Sequence, residues 1–204
     1  MFTGITGNAG QNDGILDEID GCLARVPLCR DQRERFIALF DGASPLASRR
    51  SFPVHVTASA LILSPSRDDI LLLKHRRFGL WLQPGGHLEP GETPLQAMYR
   101  EILEETGIQR SQLVLLNPWA VDFNVHKIDA NAARDEPAHW HADANAARDE
   151  PAHWHADLCY ALAADSLQVT LNEESRAFAW VPARDPAVVS NVRLSGILAG
   201  IRYP

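Results

Sequence analysis

Residues 86–108 read GHLEPGETPLQAMYREILEETGI, and this stretch decides the fold. Its centre carries local helix signals at both ends. Thr93 is a strong N-cap, Pro94 suits the first helical position, and Gln96 completes a capping box. Gly107 suits the left-handed residue that closes a helix. The spacing therefore predicts a helix over 94–106. At ~100° per residue, Leu95, Met98, Tyr99 and Ile102 form an apolar stripe. Glu101, Glu104 and Glu105 share an adjacent face, because spacings of three and four residues superpose. Three carboxylates so close repel one another, which costs stability unless a cation sits among them.

Hard oxygen donors in a tight cluster suit Mg²⁺ or Mn²⁺ rather than zinc. The preceding Gly85-Gly86 pair lets a backbone carbonyl approach such an ion, since no side chain blocks it. A cation there fits the activation of water for attack on a phosphate.

The pattern G-x5-E-x7-R-E-U-x-E-E-x-G-U, with U aliphatic, is filled by Gly86, Glu92, Arg100, Glu101, Ile102, Glu104, Glu105, Gly107 and Ile108 without a departure. In this the chain resembles the Nudix family. The run into the box, HVTASALIL, then LLLKH, then WLQPGGH, is similar to the family's usual approach. The resemblance implies an α/β/α sandwich with a mixed central sheet. It also implies metal-dependent hydrolysis of a diphosphate bond in a nucleoside diphosphate joined to another moiety. Glu101, Glu104 and Glu105 would then be ligands of Mg²⁺ or Mn²⁺, one of them serving as the base for water, with the carbonyl of Gly85 or Gly86 completing the shell. Arg100 would orient the glutamates, with Glu92 reinforcing that network. The family often adds an acid before the late strand that carries Trp180. Glu174 is the candidate and Glu173 the runner-up, against a solvated turn carboxylate for both. The alternative is a non-catalytic nucleotide-binding or sensor module on the same fold. An isopentenyl diphosphate isomerase branch would need a catalytic cysteine, for which only the position of Cys159 speaks.

Outside the box, strands are expected at 55–63, 70–74, 113–116, 121–128, 158–163 and 178–181, with a final helix from Asp185-Pro186 to about Leu198. Strands mixed with a few helices, lacking a regular βαβ rhythm, read as α+β or a mixed-sheet sandwich. Residues 1–13 read as a loose tail. Two helices should follow, the first stopped by Pro27 and the second capped by Asp31 and ended by Asp41-Gly42. This divides the chain into a helical N-terminal extension over 1–50 and a Nudix domain over 51–204.

Residues 129–142 read DANAARDEPAHWHA, and residues 143–156 repeat those letters. Two copies are too few for a solenoid. Only the second continues into Leu158-Cys159-Tyr160, so the second copy should enter the sheet and the first be extruded as a tolerated surface insertion. An even period keeps side-chain parity, which leaves an alternative register or strand exchange physically open.

Asp122, Asn124 and His126 alternate on one strand, and His153, His155 and Asp157 on another. Paired, they would make a polar sheet face beside the cleft, suited to phosphate contact or extra metal binding, or else a hydrogen-bonded wall. Their spacing is not HExxH and gives no firm zinc assignment. His139 and His141 belong to the first copy. His87 either touches phosphate or is simply exposed. Lys74, Arg76 and Arg77, with Arg49-Arg50, are the cations available to an anionic substrate, and Trp81 either stacks on a base or joins the core.

A formal net charge of −7 disfavours bulk nucleic acid or anionic membrane as partner. Three cysteines without a CxxC, and no apolar run long enough to span a bilayer, fit a cytoplasmic protein acting on a small nucleotide-type substrate. A homodimer is the base-rate assembly.

Overall fold

The computed structural model describes residues 9–26, 29–76, 79–130, 151–189 and 192–201. Two helices, α1 (Ala9–Arg25) and α2 (Arg30–Leu39), precede the strands β1 (Val54–Leu63), β2 (Asp69–His75), β3 (Trp81–Leu82) and β4 (Gly85–His87). Helix α3 (Pro94–Thr106) leads to β5 (Leu113–Leu115), β6 (Asp122–Ile128), β7 (His153–Ala164) and β8 (Ser175–Pro182). Helices α4 (Pro186–Val189) and α5 (Val192–Gly200) close the chain.

The strands form one mixed sheet in the order β3-β2-β1-β7-β5, with β4 beside β1, β6 beside β7 and β8 beside β2. β1 and β7 run parallel from Val54 against Trp154 to Leu63 against Ala163. The other pairs are antiparallel. Alternation along β1 sorts its side chains onto two faces. Val54, Val56, Ala58, Ala60 and Ile62 join one core with Ile15, Ile19 and Leu23 of α1, Phe36 of α2, and Ala97, Met98 and Ile102 of α3. Leu61 and Leu63 face the other way, into a second core with Val188 of α4 and Ile197 of α5. Helices on both faces of a mixed sheet make the expected α/β/α sandwich, with α1 and α2 as the helical extension. No helix among the described residues is long and apolar enough to cross a membrane.

Three local readings change. Helix α1 begins at Ala9, so residues 9–13 are helical rather than a tail; residues 1–8 lie outside the described residues. A long-range contact explains it: buried Asn12 donates to the Ser44 carbonyl at 3.0 Å and accepts from the Leu46 amide at 2.9 Å. Asp31 lies in the first turn of α2, where it favours the helix dipole, and the cap position is Cys29. The Cys29 thiol instead ties the extension to β6, donating to Asp122 Oδ1 at 3.2 Å and accepting from the Phe123 amide at 3.3 Å. The last helix is described as two stretches, α4 and α5, with residues 190–191 outside the described residues; at the start of α4 the Ala187 amide donates to Asp185 Oδ1 at 2.8 Å.

The sequence places the second copy of the repeat at the entry to the sheet, and β7 indeed begins at His153. Most of the repeat, including His139 and His141, lies outside the described residues, as do Pro27 and Arg77.

Candidate active site

Helix α3 is held at both ends as its letters require. The Thr93 hydroxyl accepts from the Gln96 amide at 3.2 Å, while the Thr93 amide donates to Gln96 Oε1 at 2.9 Å. Gly107 adopts φ 69° at the other end. Because Ala97, Met98 and Ile102 face the core, the helix turns its glutamates toward the rim of β4.

The diglycine at β4 is a niche for those acids. A Cβ on Gly86 would lie 2.5 Å from Glu101 Oε1, so only glycine leaves room for that carboxylate. The Gly85 amide donates to Glu105 Oε2 at 2.9 Å. Gly85 itself has φ 153°, and a Cβ there would strike the Ala58 carbonyl at 2.5 Å.

Arg100 binds the cluster together. Its Nε and Nη2 donate to the two oxygens of Glu92, each at 2.9 Å. Nη1 reaches Glu101 Oε1 at 2.9 Å and Glu104 Oε2 at 3.3 Å, and Nη2 also meets the His87 carbonyl at 2.8 Å. Glu92 is accordingly held below the usual carboxylate range, first by its hydrogen bonds from Arg100. Glu105 is pushed up to about 8, by burial first and then by the charges of Glu101, Glu174 and Glu104. Glu101 rises to about 7, again chiefly by burial, with Arg100 opposing the shift. Glu104 is 53% exposed and faces solvent. Glu174 lies close enough to raise both buried acids, and its carbonyl accepts from the Arg76 amide at 2.8 Å. Glu101 and Glu105 lie against the diglycine, and Glu104 and Glu174 are near enough for their charges to act on both. Burial raises the proton affinity of Glu101 and Glu105, and these oxygen donors are of the kind that fits a hard divalent cation.

Arg76 is exposed beside Glu174. Lys74 pairs across the sheet with half-exposed Trp81, its Nζ 5.5 Å from the indole centroid. Cys159 is fully buried and its thiol is pushed up to about 12 by burial, so it offers no nucleophile.

The expected polar face forms, and it is larger than its letters suggested. Register sets His126 opposite His155, Asn124 opposite Asp157 and Asp122 opposite Cys159 on β6 and β7. β1 then adds His55 opposite His155 and Thr57 opposite Asp157, and β4 adds His87 opposite Thr57. By alternation this face lies across the sheet from α3. Asp157 accepts from Thr57 Oγ1 at 3.0 Å, Ser59 Oγ at 2.6 Å and Arg193 Nη2 at 3.1 Å, and Arg193 also pairs with Asp122. Arg193 of α5 therefore clamps two acids that the sequence reading had facing the cleft. His126 and His155 are held below the usual imidazole range, chiefly by burial. Sequence reasoning missed His55, the packing of His87 and the clamp by Arg193. Only parity along HVTAS could have hinted at His55.

A family model described as NUDIX domain matches residues 53–193. The chain belongs to the Nudix family. The Nudix match starts at the approach to β1 and ends at Arg193, leaving α1 and α2 outside it. An 8-oxo-dGTP diphosphatase of Proteus vulgaris is 51% identical over 51 residues, which is 25% of this chain and 46% of that protein. The NAD-capped RNA hydrolase NudC of Pasteurella multocida is 40% identical over 82 residues, 38% of this chain and 30% of that protein. The chain thus spans less than half the length of either curated relative. Among solved structures, the Nudix hydrolase RenU of M. smegmatis aligns with a TM-score of 0.50 at 20% identity, over 74% of this chain and 89% of that one, a likeness of fold alone.

Proposed function

We propose that this Nudix chain is a divalent-metal-dependent pyrophosphohydrolase that cleaves a diphosphate bond in a nucleoside diphosphate linked to another moiety. The observation that carries the reading is the setting of Glu101 and Glu105 against the Gly85-Gly86 niche, with Arg100 fixing Glu101 and Glu104 and with Glu174 near enough to act on the buried pair. Glu101, Glu104 and Glu105, with the Gly86 carbonyl, would hold Mg²⁺ or Mn²⁺. When bound, such an ion offsets phosphate charge and makes water a better nucleophile.

The chain's own residues supply the rest. Arg100 holds Glu101 and Glu104 in one arrangement, so substrate binding need not order them. Glu101 and Glu105 are the two carboxylates set against the diglycine, and one of them is the candidate general base. One of them takes the proton as water oxygen bonds to phosphorus and the bridging phosphorus–oxygen bond breaks, releasing a nucleoside monophosphate and a phosphorylated partner. Lys74 and Arg76 are the nearby cations for the phosphates, with Trp81 beside Lys74 available to a base. The 8-oxo-dGTP and NAD-capped RNA named for the relatives mark nucleoside triphosphates and dinucleotide-type diphosphates as the first substrates to try.

The test is a panel of nucleotide sugars, dinucleoside polyphosphates, ADP-ribose and (deoxy)nucleoside triphosphates with Mg²⁺ and Mn²⁺. Turnover should require metal. Glu104→Gln and Glu105→Gln should each cut it by more than about 100-fold, since loss of a ligand exceeds the effect of outer-shell partners. Full turnover in both variants overturns the assignment, and tight ligand binding without hydrolysis across the panel would make the chain a sensor.

A further inference from the structure

We propose that His55, His87 and His155 form a second metal site, distinct from the glutamates, that binds one zinc-class divalent ion through three imidazole nitrogens. One ring nitrogen from each residue lies within 4.8 Å of the others. The ring centroids make a nearly equilateral triangle, with sides of 5.1 Å from His55 to His87, 4.9 Å from His55 to His155 and 4.9 Å from His87 to His155. A tetrahedral ion with ~2.0–2.1 Å bonds to nitrogen sets its ligand atoms ~3.4 Å apart, a contraction that small ring rotations supply.

The three come from three adjacent strands, β1, β4 and β7, so sheet register fixes their backbones. Their outer partners suit ligation. His55 Nδ1 donates to the Ser51 carbonyl at 3.0 Å, which makes Nε2 its lone-pair nitrogen. His153 Nδ1 likewise donates to the Pro151 carbonyl at 2.8 Å, and its Nε2 stands 3.2 Å from His155 Nε2, buttressing that ring. His55 is buried while His87 and His155 are half-buried, which gives an ion a way in.

All-imidazole donors select the zinc, copper, nickel and cobalt class, whereas the carboxylates around α3 suit magnesium or manganese. Adjacent residues serve the two sites: Gly86 makes room for Glu101, and His87 projects from the opposite face of β4. Three protein ligands leave a fourth position for water or a substrate oxygen. The site does not depend on the hydrolase reading.

The probe is Co²⁺ titrated into the full, untagged, metal-stripped chain with excess Mg²⁺ occupying oxygen sites, followed by competition with Zn²⁺. One equivalent should bind with the intense visible absorption of low-coordinate, nitrogen-ligated cobalt, and zinc should displace it. His55→Ala and His155→Ala should weaken binding by more than about 100-fold. His87→Gln, at a half-buried position, should do the same with an unchanged circular dichroism spectrum, which guards against misfolding. A deletion of 129–142, which removes His139 and His141, should bind as the parent does. No cobalt uptake, an uptake that folded His87→Gln retains in full, or one that vanishes with the deletion each overturns the site.

Discussion

Single atoms decide much of this candidate site, and Gly86 is the clearest case. A methyl there would sit 2.5 Å from the Glu101 carboxylate, the movable end of a long side chain. Gly86→Ala should therefore fold with nearly unchanged Tm while displacing Glu101, and kcat should fall about 100-fold, the usual cost of an ångström of misplacement. Glu105 gives a pH signature. Its carboxyl rises from 4.5 to about 8 in the folded, metal-free chain, so the folded state holds a proton that the unfolded state releases between those values. The contribution is fully present below pH 4.5 and is lost as pH climbs through about 8. Melts of the metal-free protein should show stability falling across that window. Glu105→Gln should flatten the slope, and Mg²⁺ should raise Tm more at the alkaline end, where the carboxylate is free to bind it.

Among the elements, α3 is the one whose bounds and face were both legible in its letters. Its cap, its first-turn proline and its closing glycine act within four residues, and local signals of that kind survive into the fold. Thr93→Ala should cost about 1 kcal/mol by denaturant melts and leave kcat nearly unchanged. The strands were legible as strands, but their partners were not, because pairing is a long-range choice made by packing. That is why His153, His155 and Asp157 could be set on one face while His55 and His87, far away in chain position, stayed unassigned. Likewise nothing near Arg193 announces that it closes on Asp122 and Asp157. Asn12 shows the reverse error: a glycine- and asparagine-rich start looked loose until a contact with Ser44 and Leu46 made it helical.

At the scale of the whole molecule, two apolar cores sit on opposite faces of one sheet, and the polar strip shares the second face, where α5 reaches it through Arg193. Arg193 is the seam between strip and core. Arg193→Met leaves two largely buried carboxylates without their cation. It should cost roughly 2–3 kcal/mol in urea melts, below the 3–5 typical of fully buried pairs because the arginine is 31% exposed. The connection from β6 to β7 is also a whole-molecule matter, since Ile128 and His153 face each other across the pair and the duplicated letters fall almost wholly between them. Excising either unit yields the same polypeptide. A slip of the replication machinery in the gene would thus shorten the connection from 24 residues to 10 and give one and the same sequence, whichever copy was lost. By the length scaling of loop closure alone that contraction is worth only about 0.8 kcal/mol, so chain entropy gives little thermodynamic reason to oppose it in either direction.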